Sequence, residues 1–139
     1  MRRLAALGTA TLLLALTSAP VAAGAPSSGF LGSWTSTDPV DGSTQHLVIT
    51  GSDGHVQMSY VDEYATTCVD AGAATPVFTG VLTGSISGNE LAGWWKAAGC
   101  GPLLILRAAY RFAWFFEYDP NTDTLFGAIN DGPATWYRD

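Results

Sequence analysis

The stretch STQHLVIT (residues 43–50), GSDG (51–54) and HVQMSYV (55–61) decides the fold. Its two flanks alternate between apolar and polar side chains, the period of a half-buried β-strand, and the middle is turn chemistry. Closing the strands tightly over Gly51–Gly54 puts Thr50 opposite His55. It then pairs Ile49 with Val56, Leu47 with Met58 and Gln45 with Tyr60. The large apolar residues other than Val48 and Val61 share one face, and His46, Gln57 and Ser59 share the other.

The same grammar continues on both sides. Gly32–Thr37 reads as a preceding strand, ended by the turn Asp38–Gly42. A second hairpin folds about Ser87-Gly88-Asn89-Glu90, between Val77–Ile86 and Leu91–Ala97, with Ile86 opposite Leu91 and Leu82 opposite Trp95. Gly80, Gly84 and Gly93 fall on the face of Leu82 and Trp95, where glycine permits sharp coiling or leaves room for something to approach the backbone. Trp94 and Lys96 point the other way.

Leu103–Tyr118 alternates most strongly. Its even positions run Leu104, Leu106, Ala108, Tyr110, Phe112, Trp114, Phe116 and Tyr118, while its odd positions include Arg107, Arg111 and Glu117. Period two predicts a strand bent near Ala113. A helix starting at Pro102 is the alternative, since Leu, Arg and Ala favour one. Turns at Asp119–Asp123 and Asp131-Gly132 lead into Thr124–Asn130 and Ala134–Asp139. About eight short strands joined mostly by tight turns make an all-β, antiparallel up-and-down meander, which hides its edges by closing into a small barrel. Sixteen aromatic residues supply the core.

The N-terminus has a different character. Met1-Arg2-Arg3 is basic, Leu4–Ala19 is apolar, and Val21-Ala22-Ala23 carries the small residues of a signal-peptidase site, so residues 1–23 read as a signal peptide. The apolar run falls short of the roughly 20 residues a membrane span needs, and no basic stop follows it. The expectation is secretion to the extracellular space, with residues 24–29 as a linker and 30–139 as one β-barrel domain. The mature part carries a formal charge of −8, which repels phosphate backbones and anionic lipid and disfavours nucleic-acid and membrane partners. Cys68 and Cys100 are the two cysteines of an exported chain, with no Cys-x-x-Cys spacing and no histidine near either. A disulfide is the expectation; a reactive thiol or a metal pair is the alternative.

Gly32-Ser33-Trp34 resembles the opening of the calycins, the lipocalin, fatty-acid-binding and avidin-like group of up-and-down barrels. In that group a Gly-x-Trp begins the first strand and an arginine from the far end of the barrel packs on the tryptophan. The resemblance implies structural roles for Trp34 and for Arg138 in Trp136-Tyr137-Arg138. The mature chain also resembles, over nearly its whole length, a type of small secreted bacterial domain. The pieces are the Gly-Ser-Trp-Thr-Ser-Thr-Asp start, Asp41-Gly-Ser-Thr-Gln-His-Leu-Val-Ile, the turn at Ser87 and the run from Tyr118 to Leu125. That closer resemblance implies a β fold and the two cysteines, and no activity. Avidin-like pieces recur at Asp53-Gly54, Val81-Leu-Thr-Gly and Gly93-Trp94-Trp95-Lys96. Of the polar residues that grip biotin in that family, only Tyr60 has a comfortable match: Ser36 stands where an asparagine would, and Asp62 roughly where a serine would. A ureido group buried without its partners loses most of its binding energy, which argues against biotin.

Catalytic and metal constellations are weak. His46 and His55 lie on one face but too far apart along the strands to share a metal, and two histidines leave no ordinary serine or cysteine triad. Asp119, Asn121 and Asp123 alternate as in a calcium loop, but Thr124 stands at its glycine position and Asn130 at its bidentate glutamate. Asp62 and Glu63 are adjacent and so point to opposite sides of a strand. Glu117, with Arg107 and Arg111, reads as a solvated face, with a buried polar cluster as the alternative. Asp38, Asp41, Asp53 and Asp131 read as turn residues.

The sequence therefore predicts a secreted, non-enzymatic binding module without cofactor or metal, for a small apolar or aromatic ligand or a protein partner. Tyr60, Trp95, Tyr110 and Trp114 are the candidate ligand-binding residues, with the opening beside Trp95. Simple core filling by the same aromatics is the competing reading. The alternative function is a protease-inhibitor-like or interaction domain acting through loops 70–76 and 97–102.

Overall fold

The computed structural model describes residues 27–101, 114–129 and 132–139. Among them eight strands follow in chain order: β1 (Gly32–Thr37), β2 (Thr44–Ser52), β3 (His55–Asp62), β4 (Phe78–Ser87), β5 (Glu90–Cys100), β6 (Trp114–Asp119), β7 (Thr124–Ala128) and β8 (Pro133–Arg138). A 3-10 turn, Ser27–Phe30, precedes β1, and a short helix α1 (Thr66–Asp70) interrupts the β3–β4 connection. Each strand pairs antiparallel with its sequence neighbour. β8 returns to β1, Trp34 facing Arg138 and Thr35 facing Tyr137, and the meander closes into a barrel.

Alternation in the sequence becomes inside and outside. In β3, Val56, Met58 and Tyr60 are buried while His55, Gln57 and Ser59 are exposed. The core gathers Phe30, Trp34, Leu47, Ile49, Leu82, Leu91, Phe116, Leu125 and Trp136 around the same axis. Burying a large apolar side chain contributes roughly 1.5–3 kcal/mol, so this interior supplies most of the drive to fold.

The first hairpin departs from its expected register by two residues. Ser52 pairs with His55, Gly51 with Val56, Ile49 with Met58 and Leu47 with Tyr60. The cause is a tighter turn: Asp53 and Gly54 alone make the loop, both at positive φ (52° and 77°), as a type I′ turn demands. A shift of two leaves every side chain on its original face, so the assignment of inside and outside survives. The second hairpin has the expected pairs, Ile86 with Leu91 and Leu82 with Trp95. A bulge follows, Val81 pairing with Ala97, so that Lys96 is the extra residue.

Of the alternating stretch Leu103–Tyr118, residues 114–118 lie in β6, with Trp114 and Phe116 buried and Phe115 exposed, as period two requires. Tyr110, Arg107, Arg111, Ala113, where the pattern predicts a bend, and residues 1–23, which read as a signal peptide, lie outside the described residues. The sequence pattern did not anticipate α1. It carries Cys68, which bonds to Cys100 at the end of β5.

The two ends of the barrel differ. At one end the connections β2–β3, β4–β5 and β6–β7 are tight turns, and Phe30 is inserted as a plug. There Trp34 Nε1 donates to the Phe30 carbonyl at 2.9 Å, and Arg138 donates to the carbonyls of Gly29 and Leu31 at 2.7 Å each. At the other end lie the longer β1–β2 and β3–β4 connections and the disulfide.

Candidate ligand site at the loop end of the barrel

Strand parity carries polar groups into the loop end. Ser36 is in phase with Trp34 on β1, Gln45 with Leu47 on β2, and Asp62 with Tyr60 on β3, so all three turn inward and are buried. Asp38, just past β1, is buried with them. Buried polar groups need partners, and most of these are supplied locally. Gln45 Nε2 donates to Asp38 Oδ2 at 2.8 Å, and the Val40 amide donates to Asp38 Oδ1. Ser36 Oγ donates to the Thr135 carbonyl at 2.9 Å. Asp62 Oδ1 accepts from Ser43 Oγ at 2.8 Å and from the Tyr64 amide at 3.1 Å.

Asp62 is the electrostatically poised member. Burial pushes its carboxyl above the ordinary aspartate range. The hydrogen bonds from Ser43 and Tyr64 pull the other way, and the nearby charges of Asp38 and Asp41 add to the rise. A carboxyl held this way can donate or accept according to pH.

Beneath this polar rim runs a chain of aromatic rings. Tyr60 meets Trp95 at a centroid distance of 5.8 Å, Phe78 at 6.2 Å and Trp136 at 6.3 Å, and Phe78 meets Trp95 at 5.8 Å. Trp136 continues to Phe116, and Phe116 to Trp114. Tyr60, Trp136 and Trp114 are buried, while Phe78 and Trp95 are half-buried at the loop end. Among the described residues, the buried indole N–H groups of Trp114 and Trp136 have no acceptor.

Glycines make the room these rings need. A Cβ on Gly80 would collide with the Trp95 ring, and one on Gly93 with the Trp114 ring and the Thr83 carbonyl. The face that the sequence marked as open beside Trp95 thus carries Trp95 itself over Gly80, and Trp114 over Gly84 and Gly93.

Compared with protein-family models, with curated proteins and with solved structures, the chain matches none of them.

Of the four candidate ligand residues, Tyr60 and Trp95 are in direct ring contact, Trp114 lies deeper in the same aromatic chain, and Tyr110 is outside the described residues. Trp34 and Arg138 meet at the sealed end, away from this site. From the sequence Asp38 reads as a turn residue, and Gln45 is not among the candidate residues. The signal was present in the pattern, for a polar residue falls on the inward phase of β1, of β2 and of β3.

Elsewhere the chemistry is local. His46 contacts Glu63 at 3.1 Å and Thr35, and His55 sits at the opposite end of β3. Asp119 caps its own turn through Asn121, while Asp123 binds Arg138 and Tyr118. Asp62 closes β3 and is buried, while Glu63, just past the strand, is exposed. Among the described residues no group of three or more His, Cys, Asp or Glu side chains is placed to hold a metal. A shallow surface cleft of about 360 Å³ lies outside the barrel wall, bordered by Asn89, Glu117, Pro120 and Phe126.

Proposed function

We propose that the protein is a secreted, non-enzymatic binding module of calycin-like design, taking a small apolar or aromatic ligand at the loop end of its barrel. The observation that carries this reading is the pair of buried indole donors, Trp114 Nε1 and Trp136 Nε1, without acceptors among the described residues. Leaving a buried donor unmade costs about 1–3 kcal/mol, which a ligand carrying a carbonyl or ether oxygen recovers. Tyr60, Trp95 and Trp136 supply apolar ring faces, and Gln45 and Asp62 supply polar groups at the rim. The sealed end supports the calycin comparison, with a Gly-x-Trp tryptophan beneath a terminal arginine at 4.1 Å. The disulfide and the signal-like start agree with export.

The test is titration of the disulfide-bonded protein with a panel of flat apolar ligands, with and without a carbonyl, followed by tryptophan fluorescence. Saturable quenching by the carbonyl-bearing members, weakened about tenfold in Trp136→Phe, is expected. A panel without effect on the fluorescence overturns the reading. A second reading, a protein partner gripped by loops, rests on two exposed apolar residues, Val69 on the disulfide-anchored α1 and Tyr64 just before it.

A further inference from the structure

The outer wall of the barrel carries an apolar face that the interior site does not use. Trp94 on β5, Phe115 on β6 and Phe126 on β7 are each about half exposed, at 53%, 55% and 52%. They are diagonal neighbours. Phe115 pairs with Ala92, two residues from Trp94, and with Ala128, two residues from Phe126. Aromatic side chains reach one another across such diagonals. Tyr137, at 62% exposure, continues the line onto β8 as the wall curves away. Three half-exposed rings alone present roughly 300 Å² of apolar surface, in the range where patches on monomers serve as contact sites.

Charges frame this face unevenly. Glu90 and Glu117 are directly opposite one another on β5 and β6, a like-charge pairing that destabilises a sheet. Asn89 donates to Glu117 at 2.9 Å, and no described cation lies against either carboxylate. Lys96 projects from the same side of β5, on the far side of Trp94, and makes no ion pair among the described residues. Along β5 the order is Glu90, Ala92, Trp94, Lys96, symmetric about Gly93 in position and opposite in size and charge.

We propose that this face is the contact between two copies of the chain, related by a two-fold axis that lies in the interface and passes close to Gly93. Such an axis makes the contact isologous, each residue meeting the position reflected through the axis. Lys96 of one copy then meets the Glu90–Glu117 pair of the other, and Trp94 of one covers the small Ala92 of the other. The acidic chain thereby places one of its few cations where two carboxylates repel. A partner of different chemistry has no such match on this face, whose charges complement their own reflection.

The experiment is sedimentation equilibrium of the disulfide-bonded protein from about 1 to 100 μM, the range of a small specific interface. The mass is expected to rise toward that of a dimer. Trp94→Ser is expected to abolish the rise with little change in melting temperature, since the residue is exposed. Lys96→Glu and Glu90→Lys are each expected to weaken the dimer about tenfold, and the double exchange to restore it. A monomer throughout the range overturns the proposal, including a monomer whose Trp94 is shielded from acrylamide by its own chain. A dimer indifferent to Trp94→Ser, or a double exchange that restores nothing, overturns it as well. None of these outcomes bears on ligand binding at the loop end.

Discussion

The guanidinium of Arg138 lies 4.1 Å from the centre of the Trp34 ring, and the two residues face each other across the β1–β8 seam. The same group donates to the carbonyls of Gly29 and Leu31 and to both carboxylate oxygens of Asp123. One side chain therefore joins the first strand, the last strand, the plug at the sealed end and the β6–β7 turn.

Replacing Arg138 by Met removes the charge and strands two carbonyls that it now satisfies. A loss of roughly 2–3 kcal/mol of stability is expected, read from the midpoint of urea unfolding. Arg138→Lys is expected to recover little, because an ammonium cannot hold several acceptors in a fork while lying flat on an indole. A variant as stable as the parent would show that the seam does not depend on this contact.

Gly80 tests the packing of the aromatic chain. A methyl there meets the Trp95 ring, which is wedged between Tyr60 and Phe78. Gly80→Ala is expected to lower stability by about 1–3 kcal/mol through overpacking. Displacement of Trp95 should appear as a shift in its emission, and an unchanged spectrum would place the ring elsewhere.

Asp62 makes stability depend on pH in a defined direction. Its folded-state pKa is raised, chiefly by burial, so between the ordinary aspartate value and the raised one the native protein holds a proton that the unfolded chain has released. Stability contributed by that proton is present at low pH and is lost as pH rises from the ordinary aspartate value through the raised one. Asp62→Asn keeps an oxygen for Ser43 and for the Tyr64 amide while removing the buried charge. It is expected to melt at a higher temperature than the parent at neutral pH, the gap closing toward about pH 4. Melting curves across that range that run parallel would refute the assignment.

The Cys68–Cys100 bond closes a loop with a sequence separation of 32 that runs from within α1 through β4 to the end of β5. The chain-entropy account assigns a loop of this length roughly 3–4 kcal/mol. The Cys68→Ala/Cys100→Ala double variant is expected to lose about that amount in denaturant unfolding. The amides next to the β2–β3 turn, at the opposite end of the barrel from the bridge, should retain their relative protection from hydrogen exchange.

The parts of the fold that were legible share one physical basis. Period-two alternation assigns faces from a few neighbouring residues, so β1, the inner faces of β2 and β3, and the Gly88-Asn89 hairpin could be read directly. The register of the first hairpin was misjudged because two turns of different length fit Gly51–Gly54. The deciding signal is the pair Asp53-Gly54, which accepts the two positive φ angles of a type I′ turn at little cost. The short helix α1 has no alternation or periodic apolar face long enough to announce it.

By itself the sequence determined which side chains face inward, that the strands form an antiparallel series, and that two cysteines stood to pair. Those properties follow from local geometry and chain composition. Only the tertiary structure decided how the interior is filled. Trp95 and Trp114 occupy the space left by glycines on neighbouring strands, and Asp38 and Gln45 satisfy each other below the surface. Their partners lie on strands brought together by folding, and burial depends on those partners as much as on the residue itself.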